Sequence, residues 1–170
     1  HPELDERLRQ RRTRLEARLT SDARRAGVPT PLVFDVDLAD TRLVLQRVGE
    51  ADLRDALSHE RVERVAGHLA RLHGSGLVHG DPTTRNVRVG DRNGAGSEEG
   101  HTFLIDFGLG YNSGHPEDHA MDLHVFAQSL EGTAENADEL VAAAVEAYRA
   151  AGDEQVLNRL QDIEGRGRYR

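Results

Sequence analysis

The chain has no cysteine, no lysine and no tryptophan, and only 4% of its residues are aromatic. Without cysteine there are no disulfides and no thiolate metal ligands. All 22 basic residues are arginine, so a mechanism that needs a lysine cannot be complete within this sequence. With so few aromatics, the core must be built mostly from Leu, Val and Ala. No run of about eighteen apolar residues occurs, which excludes a helical membrane span. No basic, then apolar, then small-residue opening resembles a secretory signal. A cytoplasmic protein with no membrane contact is the expectation.

What is present narrows the class. At 170 residues the chain is long enough for one globular unit with a real core. It opens at His1 and is in helix-forming sequence by Glu3, so it reads as a piece of something longer. The formal net charge of −8 argues against a surface that binds nucleic acid over its whole extent. Acidic excess with arginine in place of lysine fits either a salt-adapted source or a GC-rich genome.

The hydrophobic periodicity predicts one helix over 3–26, with Leu4, Leu8, Leu15 and Leu19 near one face and Gly27 as its stop. The arginines of this helix read as a solvated face with i, i+4 pairs such as Glu3–Arg7. The prolines at Pro29 and Pro31 forbid helix, and strands are expected at 32–37 and 42–48 around a tight turn at Leu38–Thr41. Helical patterns return at 52–57 and 60–72. A strand-like stub, a polar loop and a short strand fill 77–89. A Gly-, Asp- and Glu-rich hairpin loop follows at 90–100, then a strand at 102–105. Helices are predicted at 118–130, 134–151 and 154–163, with a basic tail, Arg166–Arg170. The class is α+β, with a little sheet first and helices concentrated at the C-terminal end. Residues 1–48 hold the first helix and two strands, and 49–170 the mostly helical remainder.

Two motifs carry chemistry. In His79-Gly-Asp-Pro-Thr-Thr-Arg-Asn86 an Asp is followed five residues later by an Asn on a loop leaving a helix. That spacing puts a carboxylate and an amide oxygen around one small cavity. Twenty residues past Asn86, Leu104-Ile-Asp-Phe-Gly108 delivers a second carboxylate at a strand end. Pairing of Val87–Val89 with Phe103–Ile105 would bring Asn86 and Asp106 together. Phosphoryl transfer needs a carboxylate to orient the attacking hydroxyl, oxygen ligands for magnesium and a cation for phosphate charge. In this order the motifs match the magnesium-binding half of a protein-kinase-like ATP site. The bland alternative is a pair of Asx-type turns.

Other clusters read as structural. His115 and His119 have the helical spacing of zinc ligands and lie near His124, Asp118 and Asp122, but without further supporting groups the pattern is weak. The glutamates of the 90–100 loop would repel phosphate.

The stretch from His1 to Arg170 resembles the small atypical serine/threonine kinase/ATPase subunit of the KEOPS complex. The resemblance rests on His1-Pro-Glu-Leu-Asp5, Arg11-Arg-Thr-Arg-Leu-Glu-Ala17, Gly27-Val-Pro-Thr-Pro31, His79-Gly-Asp-x-Thr-Thr-x-Asn86, Ile105-Asp-Phe-Gly-Leu109, Glu117-Asp-His-Ala-Met-Asp-Leu123 and Arg166-Gly-Arg168. It implies a protein-kinase-like fold and use of ATP and Mg2+. It makes Asp81 the catalytic carboxylate, and Asn86 and Asp106 the metal ligands. Glu16 becomes the acid that pairs with the phosphate lysine, and Asp122 the buried carboxylate holding the catalytic loop from below. Arg47, Val48, Gly49 and Glu50 would form the adenine hinge, with Thr83 and Ile105 also lining the nucleotide site. The implied partners are a threonylcarbamoyl-transferase subunit, which the family can carry fused upstream, and other KEOPS subunits, with tRNA reached through the complex. The tail Arg166–Arg170 would touch the transferase or tRNA.

The sequence departs from that family in lacking its glycine-rich loop and lysine strand, and in having Pro82 and Arg85 where leucine and a small residue are usual. Loss of the lysine would remove a contact worth about 1.5–3 kcal/mol at the phosphates. Only fifteen residues separate Asp106 from Asp122, too few for a peptide-docking platform. The alternatives are a small-molecule phosphotransferase of the aminoglycoside or choline kinase kind, and a non-catalytic adaptor. Salt adaptation predicts a thermal midpoint that rises in molar KCl; a midpoint that does not rise removes that reading of the composition.

Overall fold

The computed structural model describes residues 1–90 and 101–167. Helix α1 (Pro2–Arg25) opens on a proline, which suits the first helical turn, and carries acids there and arginines in its last turn, matching the helix dipole. Gly27 ends it at φ 86°, where the Val28 amide reaches back to the Ala23 carbonyl at 3.0 Å. The Glu3–Arg7 pair is not among the ion pairs of the described residues; those of α1 are Arg18–Asp22 and Arg25–Asp22, both solvent-exposed. Leu4 and Leu8 stand exposed, whereas Leu19 and Ala23 are buried.

Strands β1 (Val33–Asp37) and β2 (Arg42–Leu45) form an antiparallel pair with a register shift between Val33 and Asp35. Asp37 closes their turn by accepting from the Ala39 and Asp40 amides. β2 stops three residues short of the expected Val48, because the backbone there turns away to run beside a second sheet. The expected helix at 52–57 is instead β3 (Ala51–Asp52) followed by a single 3-10 turn, Leu53–Asp55. Pairing of Ala51 with Val89 satisfies backbone that a helix would have taken up.

Helix α2 (His59–Gly74) is capped by the Ser58 side chain, which accepts from the Arg61 amide at 3.2 Å. β5 (Val87–Gly90) lies between β3 and β6 (His101–Leu104). β5 and β6 pair antiparallel as expected, in a register that sets Val87 opposite Leu104 and Val89 opposite Thr102. A short pair not foreseen joins β4 (Leu77–Val78) to β7 (Tyr111–Asn112). Helices α3 (Pro116–Glu131), α4 (Ala137–Ala151) and α5 (Glu154–Gly167) complete the chain. α5 runs four residues past the expected end, taking in Arg166, which faces Glu117 at 3.6 Å; the rest of the basic tail lies outside the described residues. So does the 90–100 loop beyond Gly90.

The core is aliphatic, as the composition required. Leu69 and Leu72 of α2 pack with Phe126 and Leu130 of α3, Leu140 and Tyr148 of α4, and Val156 and Leu160 of α5. α2 packs chiefly on α4, and α3 on α5. The loop after β4 and the end of β6 sit on this helical base.

Two buried histidines, His73 and His79, and the half-buried His68 make the fold acid-sensitive. Burial holds His73 and His79 below the ordinary imidazole range and pushes His68 down to about 4. The unfolded chain takes up protons near pH 6.5 that the folded chain resists. Stability is therefore full above that range and declines as pH falls, by up to about 1.4 kcal/mol per pH unit for each group. The thermal midpoint is expected to drop between pH 6.5 and 4.5; a flat midpoint across that window contradicts the burial of these rings.

Candidate active site

The loop from His79 to Asn86 is built from its backbone. Gly80 takes φ 87°, and a Cβ there would lie 2.2 Å from the Leu109 carbonyl oxygen, so only glycine fits. The bend turns the His79 and Gly80 amides inward, where both donate to one carboxylate: His79 N to Asp122 Oδ2 at 2.8 Å and Gly80 N to Asp122 Oδ1 at 2.9 Å. Asp122 comes from α3 and is 2% exposed. Its Oδ2 also accepts from His73 Nε2 at 3.0 Å.

His79 ties the loop to the end of β6. Its Nε2 donates to the Ile105 carbonyl at 2.9 Å, and its Nδ1 accepts from the Asp81 amide at 3.2 Å. Both bonds suit a neutral ring, and burial favours that form. The Ile105 amide closes the junction by donating to the Asn86 carbonyl at 3.0 Å. Asp81, Asn86 and Asp106 are thus fixed to one another through a single imidazole and one backbone bond.

Asn86 Nδ2 donates to the Asp81 carbonyl at 2.9 Å and to Asp81 Oδ2 at 3.1 Å. With Nδ2 committed, Oδ1 is what Asn86 offers a cation. Thr83 turns the loop, its amide donating to Asp81 O and its carbonyl accepting from the Asn86 amide. Asp106 is exposed at φ 62°, with Oδ1 accepting from Gly108 N at 3.2 Å. Phe107, 1% exposed, anchors this strained turn by packing on His79 at 4.6 Å between ring centroids. An amide oxygen and an exposed carboxylate beside a second carboxylate are hard oxygen donors suited to magnesium.

A cleft of about 330 Å³ opens beside them, between Glu16 of α1, the segment Leu45–Val48, and Arg88, Ile105 and Asp106. Arg47, Val48, Ile105, Asp106 and Glu16 therefore share one cavity. Gly49 and Glu50 do not line it. Gly49, at φ 64°, is pressed against β5, and the Glu50 amide donates to the Val89 carbonyl at 2.8 Å. A larger cavity of about 520 Å³ lies below the loop, beside His73, His119 and Tyr148.

Glu16 has its carboxyl raised, first by burial and then by Asp106, with Arg12 opposing. Gly108 lies between the two acids: a Cβ there would sit 3.1 Å from Asp106 Oδ1 and 3.5 Å from Glu16 Oε2. Of the two arginines lining the cleft, Arg47 and Arg88, the second is already engaged. Arg88 donates to Asp52 at 2.7 Å, to the Val48 carbonyl at 3.3 Å and to the Gly49 carbonyl at 3.4 Å. Sequence reasoning missed Arg88, and it missed His73 and His79 as supports. For His79 the signal was present, since it heads the motif; for Arg88 and His73 only the fold supplies it.

Among the described residues no group of three acidic or histidine side chains is arranged to hold a metal. In the histidine cluster, His119 is bonded to the Ser113 carbonyl and stacks on His73, Asp118 accepts from Ser113 Oγ, and Asp122 serves the loop.

This two-part scaffold is a protein-kinase-like fold. The chain superimposes on WaaP, solved in complex with acyl carrier protein, with a TM-score of 0.62 over 89% of this chain and 72% of that one, at 17% identity. No protein-family model matches the chain. It is 38% identical, over 98% of its length and 81% of the other, to a probable serine/threonine-protein kinase BUD32 homolog from Archaeoglobus fulgidus. It therefore belongs to the BUD32 family of serine/threonine-protein kinases. It is also 61% and 62% identical to probable bifunctional tRNA threonylcarbamoyladenosine biosynthesis proteins of Haloarcula marismortui and Halobacterium salinarum. The chain covers 99% of its own length in each match, but only 31% and 30% of those proteins.

Asp122→Ala would leave two inward amides and the His73 ring without their acceptor. A loss of about 3–5 kcal/mol is expected from the buried partners left unpaired. Urea unfolding measures it, and a loss under about 1 kcal/mol would show that Asp122 does not hold the loop.

Proposed function

We propose that this chain is the phosphotransfer part of an ATP-dependent kinase/ATPase of the KEOPS type, acting with a threonylcarbamoyl-transferase partner in the modification of tRNA. The observation that carries the reading is the junction of loop and strand. His79 and the Asn86–Ile105 backbone bond tie Asp81, Asn86 and Asp106 to one another, and Asp106 lines the adjoining cleft. The names and lengths of the halobacterial relatives support the partner, since in them a matching segment is about a third of a bifunctional protein.

In this reading Arg47 and Val48 receive adenine, with Val48 and Ile105 supplying apolar faces. Thr83 helps to shape the phosphate end. Asn86 Oδ1 and the Asp106 carboxylate would hold magnesium, whose charge would offset that of the phosphates. Asp81 accepts the proton of the attacking hydroxyl or water as the bond from oxygen to phosphorus forms and ADP leaves. Because phosphoryl transfer depends on position and charge more than on covalent chemistry, the rigidity of the loop is the main contribution of this chain. Glu16 faces the cleft with Arg12 as the cation acting on its carboxyl, and the sequence contains no lysine to take that place.

The interval between Asp106 and α3 holds only β7 among its regular elements. That disfavours a peptide-docking platform, and equally the large helical insert of small-molecule phosphotransferases. In the full-length protein, Asp81→Ala and Asp106→Ala are each expected to abolish ATP hydrolysis. Retained turnover in either variant overturns the site, and magnesium-dependent ATP binding without turnover in the parent would leave the adaptor reading.

A further inference from the structure

Below the catalytic loop, three side chains from three helices form a buried line. Tyr148 of α4 lies with its hydroxyl 2.8 Å from Nδ1 of His73 in α2, whose Nε2 lies 3.0 Å from Asp122 Oδ2 in α3. Their exposures are 0%, 5% and 2%. The direction of every proton in this line follows from Asp122. Its two oxygens already accept the His79 and Gly80 amides at 2.8 and 2.9 Å, which suits an ionised carboxylate. Ionised, Asp122 can only accept, so His73 must donate from Nε2. A neutral ring that donates from Nε2 has a bare lone pair at Nδ1, and Tyr148 is the group that fills it.

A doubly protonated His73 is the competing state, and the surroundings oppose it. His119 stacks on the ring at 4.5 Å with planes 4° apart, and burial lowers the affinity of His73 for a second proton. The tyrosine hydroxyl then donates rather than accepts. The cavity of about 520 Å³ beside Tyr148 and His73 makes that donation matter, because water there is the alternative partner for Nδ1.

We propose that Tyr148 is a positioning residue for the catalytic loop: by donating to His73 it fixes the ring in the tautomer that grips Asp122, and Asp122 in turn holds the two amides from which Asp81 is presented. The consequence for turnover rests on the phosphotransfer reading above; the geometric claim does not.

The test is Tyr148→Phe in the full-length protein, which keeps the ring that fills the core. Two readouts need no turnover. Nitrogen-15 spectra of the His73 ring are expected to show the Nε2–H tautomer in the parent and a mixture in the variant. The amide protons of His79 and Gly80 are expected to move upfield together as their bonds to Asp122 weaken. In a His73→Gln background the same tyrosine change should leave those amides where they are. The third readout is steady-state hydrolysis: kcat should fall about five- to ten-fold, as expected for one hydrogen bond, with KM for MgATP within about two-fold. A parent ring in the Nδ1–H or imidazolium form, or amide shifts unaltered by Tyr148→Phe, overturns the proposal. A parent that does not hydrolyse ATP overturns the phosphotransfer reading instead, and the spectra still decide the role of Tyr148.

Discussion

A backbone that must turn two successive amides into the protein interior needs a buried acceptor, and the His79–Gly80 bend has one in Asp122. The bend is left-handed at Gly80 and passes close under Leu109, so its shape tolerates little adjustment. A neutral acceptor would satisfy the amides less strongly than a carboxylate, but a buried carboxylate is itself costly unless every lone pair is used. His73 completes that satisfaction. The loop therefore depends on a charge that only the helical base can make affordable, and the site is an outgrowth of the core beneath it.

The same economy of groups runs through the upper half of the site. One neutral imidazole, His79, serves both the amide before the Asp81 carboxylate and the carbonyl before Asp106. Moving either motif would break a bond to a fully buried ring. This is why two segments twenty residues apart meet with defined spacing although β5 and β6 are each only four residues long. Phe107 then uses the other side of the ring as a packing surface, which holds the strained Asp106 turn in place.

Much of this was legible beforehand. Helix α1, the β1–β2 pair, the pairing of β5 with β6 and the three C-terminal helices follow from periodicity and turn residues, because each is specified by its own neighbours in sequence. The misreadings have a common cause. At 52–57 and at the end of β2 the sequence has mixed local preference, and pairing with β5, from far along the chain, decides the outcome. The β4–β7 pair is likewise set by distant residues. At the site, Asp81, Asn86 and Asp106 were visible because loops and strand ends leave short motifs. His73, Arg88 and Tyr148 were not, since a histidine or tyrosine on a helix looks the same whether it fills space or orders a proton.

Positioning and charge compensation are separate tasks in this chain. Burial first, and the Asp106 carboxylate second, raise the Glu16 carboxyl at the cleft. Arg88 is locked to Asp52 and the carbonyls of Val48 and Gly49. A guanidinium held by three oxygens cannot swing to a phosphate without leaving those oxygens unpaired. Arg88 therefore cannot supply that charge; Arg47 is the other cation lining the cleft, and a bound divalent metal would add to it. Because the loop is fixed from below by neutral and hydrogen-bonded groups, its geometry does not wait for them. In the phosphotransfer reading proposed above, such a loop would be ordered before any nucleotide is bound.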